Sequence, residues 1–391
     1  MKICGIICEY NPFHNGHAYL LERAKKESGC ELTVCAMSGN FTQRGEPAFL
    51  GKYARARHAV LAGADAVIEI PAPFACAPAE IFAKGAVKLL ASLPDFSSLA
   101  FGCESGNEES FLAAAKALSD ESRTMKAAIR AKLKKGVSLI KARTEAAAET
   151  EPLSAPLLSS PNNVLGVEYQ KALLFFGSNA RVLPVLRTGG GHADAELAKN
   201  YSSATAIREG VRQGKLRAVK RNVPEFVFDD LKNAPDTSAY KALAVYAALS
   251  RPAEQLKKIL DCTEGLENRI KALAKGNPDY DALVGKVTTK RYISSRVRRI
   301  LAAAVLGIEE ELVRKSLKNK LYLNVLAVKK ERADDVLPAL ARSEFPLLTR
   351  ASDEKKLTRT AMECYEKDLL ADDVYSFITR TPARGGKTVF V

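Results

Sequence analysis

No stretch of this 391-residue sequence stays apolar for the roughly 18 to 20 residues that a bilayer-crossing helix needs. No amphipathic anchor or lipidation motif takes its place. The opening segment MKICGIICEYNPFHNGH has one Lys and then about seven apolar residues, but it runs into Glu9 and a histidine cluster without a small-residue cleavage site. A cytoplasmic location is expected, with no membrane partner. Cysteine pairing is also lacking. Cys4, Cys8, Cys30, Cys35, Cys76, Cys103, Cys262 and Cys364 form no CxxC pair and mostly sit among Val, Ile, Ala and Phe. That excludes a zinc ribbon and argues against a disulfide framework, leaving reduced thiols that pack as small hydrophobes. Histidine is scarce, with His58 and His192 the only two beyond an HxxH at 14–17, and no Cys or acidic pair lies beside that motif. No metal site is expected. Internal repeats and low-complexity linkers are absent.

What the chain has in excess is positive charge. Lys and Arg number 59 against 45 Asp and Glu, a net +14, in an otherwise ordinary globular composition of 47% hydrophobic and 27% charged residues. Such an excess points to a polyanionic partner, and without a membrane anchor nucleic acid fits best. Two segments concentrate the charge. Residues 122–144 hold Arg123, Lys126, Arg130, Lys132, Lys134, Lys135, Lys141 and Arg143 with no acid, and 286–307 hold Lys286, Lys290, Arg291, Arg296, Arg298 and Arg299, again with none. Solvated helix faces usually mix signs, so both segments are candidates for phosphate contact, with Tyr292 as a stacking residue.

The first half alternates short β-rich runs with helical patterns. KICGIICEY, LTVCAMSG, AVIEIP and SLAFGCES read as strands, separated by helices in HAYLLERAKKES, KYARARHAVLAGA and PAEIFAKGAVKLLASL. Helices follow at 107–119 and 121–147, then a strand at 181–187 and a capped helix at 202–214. This is the pattern of an α/β, Rossmann-like parallel sheet. Beyond about Pro224 helical periods dominate, interrupted by the β-like YLNVLAVKK at 322–330. The expected division is a nucleotide-binding catalytic domain over 1–220 and a mostly α-helical, basic, RNA-binding domain over 221–391.

The densest chemical signal is EYNPFHNGHAYLLERA, directly after the first strand. Ligands of open parallel sheets bind at the carboxyl ends of the strands, and a helix N-terminus there offers unpaired N–H groups and partial positive charge to a phosphate. His14 and His17 add hydrogen-bond donors that can offset charge on departing pyrophosphate, and Gly16 allows close backbone approach. His14 and His17 are therefore the catalytic candidates. Residues Ile7, Cys8, Glu9, Tyr10, Asn11, Pro12, Phe13, His14, Asn15, Gly16, His17, Ala18, Tyr19 and Leu20 should wrap ATP. Gly102, ending the fourth strand, sits where a side chain would obstruct the nucleoside. Ser38 and Asn40, at the end of the second strand, are candidate donors to a ligand beside the α-phosphate. Lys52 and Arg55, opening the second helix, could face a triphosphate or be solvated helix charges. Nothing here requires a covalent nucleophile, since attack on the α-phosphorus needs positioning and charge neutralisation. Mg²⁺ held through the phosphates is compatible with these residues, although no acidic protein cage is visible.

HNGH at this position resembles the HxGH nucleotidylyltransferase superfamily, which includes class I aminoacyl-tRNA synthetases. Its second element, a late Ser/Thr-rich helix start ending in Arg, is similar to YSSATAIR, where Ser202, Ser203 and Thr205 would cap a helix and Arg208 would hold a β- or γ-phosphate; plain helix capping explains the same residues. GIICEYNPFHNGHAYLLERAK, MSGNFTQRGEPA, GADAVIEIP, AEIFAKGAVKLL, FGCESG and SPNNVLGVEYQKAL together resemble the bacterial tRNA(Met) cytidine acetate ligase family through most of the first 210 residues. The resemblance implies an ATP-dependent ligase that forms acetyl-adenylate and acetylates N4 of the wobble cytidine of elongator tRNA(Met). It adds Asn162 and Arg187 as nucleotide contacts, with an Asx turn and a solvated strand end as their plainer readings. An adenylyltransferase for a small phosphorylated cofactor precursor shares HNGH. A non-catalytic RNA-binding protein on the same fold is a further alternative.

Overall fold

The computed structural model describes residues 1–119, 122–135, 139–151, 156–187, 197, 200–382 and 386–391. His192, the glycines of LRTGGGH and the side chain of Lys141 lie outside the described part. Five parallel strands form where the sequence reading places them: β1 (Ile3–Cys8), β2 (Leu32–Ser38), β3 (Ala66–Ile70), β4 (Phe96–Cys103) and β5 (Arg181–Leu186). Alternate residues of these strands face opposite layers. Ile3, Ile7, Val34, Ala36 and Ile68 point into one apolar cluster and Cys4, Ile6, Cys35, Met37 and Val67 into another. Both faces are covered, which is why the strands read as near-continuous apolar runs.

The helix α1 (Asn15–Ser28) follows β1, and α2 (Lys52–Leu61) follows β2. A left-handed Gly29 (φ 65°) ends α1 just beyond Lys25 and Lys26, a termination that only glycine adopts without penalty. The basic segment expected as one helix over 121–147 is two, Arg123–Lys134 and Leu139–Thr150, with Ser122 capping the first through the Met125 N–H.

The β-like interruption near 322–330 has a larger part than its pattern suggests. It forms β6 (Leu323–Val328), which pairs antiparallel with β3; β7 (Leu347–Leu348) and β8 (Val389–Phe390) both pair with β6. The sheet order is β5-β4-β1-β2-β3-β6-β7. The sheet therefore does not stop at the 220/221 boundary, and the larger apolar cluster likewise runs from Ile3 to Ile378. Helical character does dominate beyond 220, as expected. Among the described residues no helix is long and apolar enough to cross a membrane.

Candidate active site

At the carboxyl ends of β1, β4 and β5 lies a cavity of about 220 Å³. It is built from strand ends and from two helix N-termini. The first is that of α1. His14 is its N-cap: His14 Nδ1 accepts from the Gly16 N–H (3.1 Å), and the His14 N–H donates to His17 Nδ1 (3.3 Å), a reciprocal capping box made of two imidazoles. With both Nδ1 atoms accepting, the proton of a neutral ring sits on Nε2. The rings stack at 3.6 Å between centroids, with Tyr10 packed edge-on and Phe13 tilted against His17. A Cβ on Gly16 would come within 3.0 Å of the His14 ring. Glycine is needed here for the imidazole as much as for any ligand.

The second N-terminus belongs to the helix Ala204–Arg212, capped by Ser203 through the Ala206 N–H. Ser202, Ser203, Ala204, Thr205 and Arg208 line the same cavity as His14 and His17. Arg208 donates to the Asn11 carbonyl (2.6 Å) and to Thr205 Oγ1 (3.2 Å). Burial, then the neighbouring Arg44 charge, lowers its pKa to about 10. Buried Asn222 ties the two helix starts together: its carbonyl accepts from the Asn15 N–H and its Oδ1 from the Ser202 N–H.

Of the residues named from the sequence, Ile7, Cys8, Glu9, Tyr10, Asn11, His14, Gly16, His17, Tyr19, Leu20, Gly102, Asn162 and Arg187 line the cavity. Pro12, Phe13, Asn15 and Ala18 do not. Phe13 is buried behind the imidazoles, and Asn15 Nδ2 donates to the carbonyls of Asn200 and Arg221. Gly102 leaves room for an arm of the protein itself, since an added Cβ would touch Arg187 Cγ at 3.4 Å. Asn162 opens the helix Pro161–Phe175, with Nδ2 donating to Glu104 (2.5 Å).

Four expectations fail. Lys52 and Arg55 do not face the cavity. The Lys52 ammonium is 2% exposed and sits between Glu69 (2.8 Å) and Asp372 (2.7 Å). Burial lowers its pKa, but Asp372 and Glu69 more than offset this and hold it well above the usual lysine range. Arg55, fully buried, donates to the carbonyls of Leu50, Glu9, Ser38 and Gly39 and so fixes the ends of β1 and β2. Ser38 Oγ donates to Glu9, while Asn40 bridges the Lys52 N–H and Asp372, so neither faces the cavity. Residues the sequence reading passed over are Gln43 and Arg44, which line the cavity from the loop after β2. The available signal was a glycine turn (Gly45, φ 76°) directly after a strand end on the ligand-binding edge.

The lining is electrostatically one-sided. Among its described residues Arg44, Arg187 and Arg208 face a single carboxylate, Glu9, which accepts from the Gln43 N–H (2.6 Å). Two positive helix ends add to this, so the phosphate-sized end suits an anion. Phe82, Phe101, Leu165 and Tyr169 line the cavity too, with Phe101 and Tyr169 in edge contact, giving an apolar wall for a planar group.

The family model described as HIGH Nucleotidyl Transferase matches residues 1–388. The chain is 34% identical over 396 residues to the tRNA(Met) cytidine acetate ligase of Thermoanaerobacter sp. (strain X514), covering 99% of this chain and 98% of that protein. It is 36% identical over 387 residues to the ligase of that name from Caldanaerobacter subterraneus subsp. tengcongensis, covering 96% and 95%. The chain belongs to the tRNA(Met) cytidine acetate ligase family. It is similar, too, to the crystal structure of apo Thermotoga maritima TmcAL, with a TM-score of 0.93 and 29% identity over the whole of both chains. The same protein bound with alpha-thio ATP superposes at a TM-score of 0.91. As a member of the tRNA(Met) cytidine acetate ligase family the chain is an enzyme on a HIGH nucleotidyltransferase fold, which excludes the reading as a relict binding module. Among the described residues no group of three or more His, Cys, Asp or Glu is placed to hold a metal ion.

Proposed function

We propose that this enzyme binds ATP in the cavity, joins acetate to AMP and passes the acetyl group to N4 of the wobble cytidine of elongator tRNA(Met), acting in the cytoplasm. One observation carries the chemistry: two capped helix N-termini and, among the described residues, three arginines and a single carboxylate converge on one cavity. The triphosphate lies across the starts of α1 and the 204–212 helix, with the adenine against Phe101 and Tyr169 and near Asn162. Because Asn162 Nδ2 is engaged by Glu104, its Oδ1 is the atom left to accept from the adenine amino group. Mg²⁺ carried in on the phosphates would neutralise charge on their oxygens and needs no protein cage.

In the first step an acetate oxygen attacks the α-phosphorus, the bond to the β-phosphate oxygen breaks, and pyrophosphate leaves. His14 and His17 donate through Nε2 to the phosphate oxygens that gain charge. In the second step the cytidine N4 amine attacks the acetyl carbon, AMP departs with the electron pair, and N4 loses one proton. Every described lining residue lies within 1–220, and 221–391 braces the cavity, Asn222 being the clearest example. The test is exchange of labelled pyrophosphate into ATP. Exchange that requires acetate supports the ligase; exchange driven by a phosphorylated cofactor precursor and not by acetate would replace it with the adenylyltransferase reading. Acetylation of purified tRNA(Met) at cytidine 34, read by mass spectrometry, tests the second step.

A further inference from the structure

The two acid-free basic segments meet different fates in the fold. In 286–307 the four arginines are answered by carboxylates from elsewhere in the chain. Arg291 pairs with Glu264, Arg296 with Asp261 and Glu264, Arg298 with Glu46, and Arg299 with Asp261. Lys286 donates to Asn277, and the Tyr292 hydroxyl, nearly buried, donates to the Glu264 carbonyl. That segment is a structural seam: a Cβ on Gly45 would clash with the backbone of Arg298 and Arg299, so the helix Ser294–Leu306 supports the loop that carries Gln43 and Arg44.

The helix Arg123–Lys134 is the opposite case. Arg123, Lys126, Arg130 and Lys134 recur at intervals of three, four and four residues, which places them on one face. All four are exposed, and none has an acidic partner among the described residues. Lys132 alone turns inward, to Glu145 and Glu149 of the neighbouring helix. The far side of the helix buries Met125 and Ile129 against Ala142, Ala146 and Ala147, a small core separate from the two that flank the sheet. This helical hairpin is rooted beside the cavity rim: Leu118 and Leu158 pack on its core, and Leu158 lies just ahead of the helix that begins at Pro161 and carries Asn162. Like charges at i and i+4, as for Lys126/Arg130 and Arg130/Lys134, repel one another and destabilise a helix. A row of them held without counter-charge suits a regularly spaced polyanion. The row is about 16 Å long at a 1.5 Å rise per residue, against about 3.4 Å of axis per phosphate along one nucleic-acid strand.

We propose that Arg123, Lys126, Arg130 and Lys134 form the docking surface for the sugar-phosphate backbone of a folded RNA, and that the 286–307 segment does not. The inference rests on the function proposed above for its choice of RNA, the substrate tRNA. The test is the variant R123Q/K126Q/R130Q/K134Q, with tRNA(Met) affinity measured by fluorescence anisotropy across a KCl series. Removing four phosphate contacts should weaken binding at least tenfold near physiological salt and flatten the slope of log K against log[salt] by about 3. Acetate-dependent pyrophosphate exchange without tRNA should stay at the parent level, which also shows that the variant is folded. Single variants R123Q and K134Q should each flatten the slope by about 1, and they decide the matter if the quadruple variant does not fold. Unchanged affinity and slope would overturn the proposal, as would a large loss in K290Q/R291Q instead. If the parent shows no acetate-dependent exchange, the ligase reading falls; the docking surface then stands or falls on RNA binding alone.

Discussion

Helices α1 and α2 each follow a parallel strand in the chain, both lack acids in the first turn, and both place nitrogen bases at their positive ends. At α2 the balancing charge comes from inside the protein: Glu69 and Asp372 close on Lys52, with Asn40 and Asn324 completing the network. At α1 the imidazoles of His14 and His17 cap the helix start, and the rings line an open cavity instead. Under the function proposed above, a positive helix start is satisfied once by the fold and once by what the fold binds. The contrast is then between a residue that holds the structure and one that acts on a substrate.

The comparison breaks most violently at Lys52. Lys52→Met leaves Glu69 and Asp372 buried without their cation, and denaturant melts should show a loss of about 3–5 kcal/mol. His17→Ala is the counterpart at α1. Acetate-dependent pyrophosphate exchange should fall by about 10²–10³-fold at saturating ATP, while the melting temperature moves by only a few degrees. The far end of α2 titrates. Burial, opposed in part by Asp230, lowers the His58 pKa to about 4, and its buried Nδ1 has no partner. The unfolded chain then binds the extra proton first, so stability should fall as pH drops from 6.5 toward 4, by on the order of 2–3 kcal/mol. A His58→Gln variant should lack that part of the pH dependence in melts run at each pH. The smallest effect sharpens the contrast. Gly16→Ala should raise KM for ATP about tenfold by displacing the His14 ring, with stability unchanged or about 0.5 kcal/mol higher. Equal damage to KM and melting temperature would show that Gly16 serves the fold rather than the site.

The five parallel strands were legible because each is a short apolar run between helical patterns, and HNGH because its chemistry and its place after β1 agree. Lys52 and Arg55 were misread for a physical reason. Their local setting matches that of the imidazoles, and what seals Lys52 is Glu69, 17 residues on, and Asp372, in the last long helix. The carboxylates that pair with the arginines of 286–307 were likewise out of view, since Glu46, Asp261 and Glu264 lie outside that window. Asn222 could not be found by motif at all: its part is to bridge two helix starts, which only the folded chain brings together.

The antiparallel pairing of β3 with β6 has a bearing on how the molecule is made. When β3 leaves the ribosome its outer edge has no neighbour, and residues 71–322 must be synthesised before Leu323–Val328 arrives to cover it. Throughout that interval an apolar strand edge stands open to wrong partners, the condition that favours misassembly and a need for chaperones. Expression of the nucleotide-binding half alone would make that exposure permanent, so the first 220 residues should emerge as aggregates rather than as a working fragment.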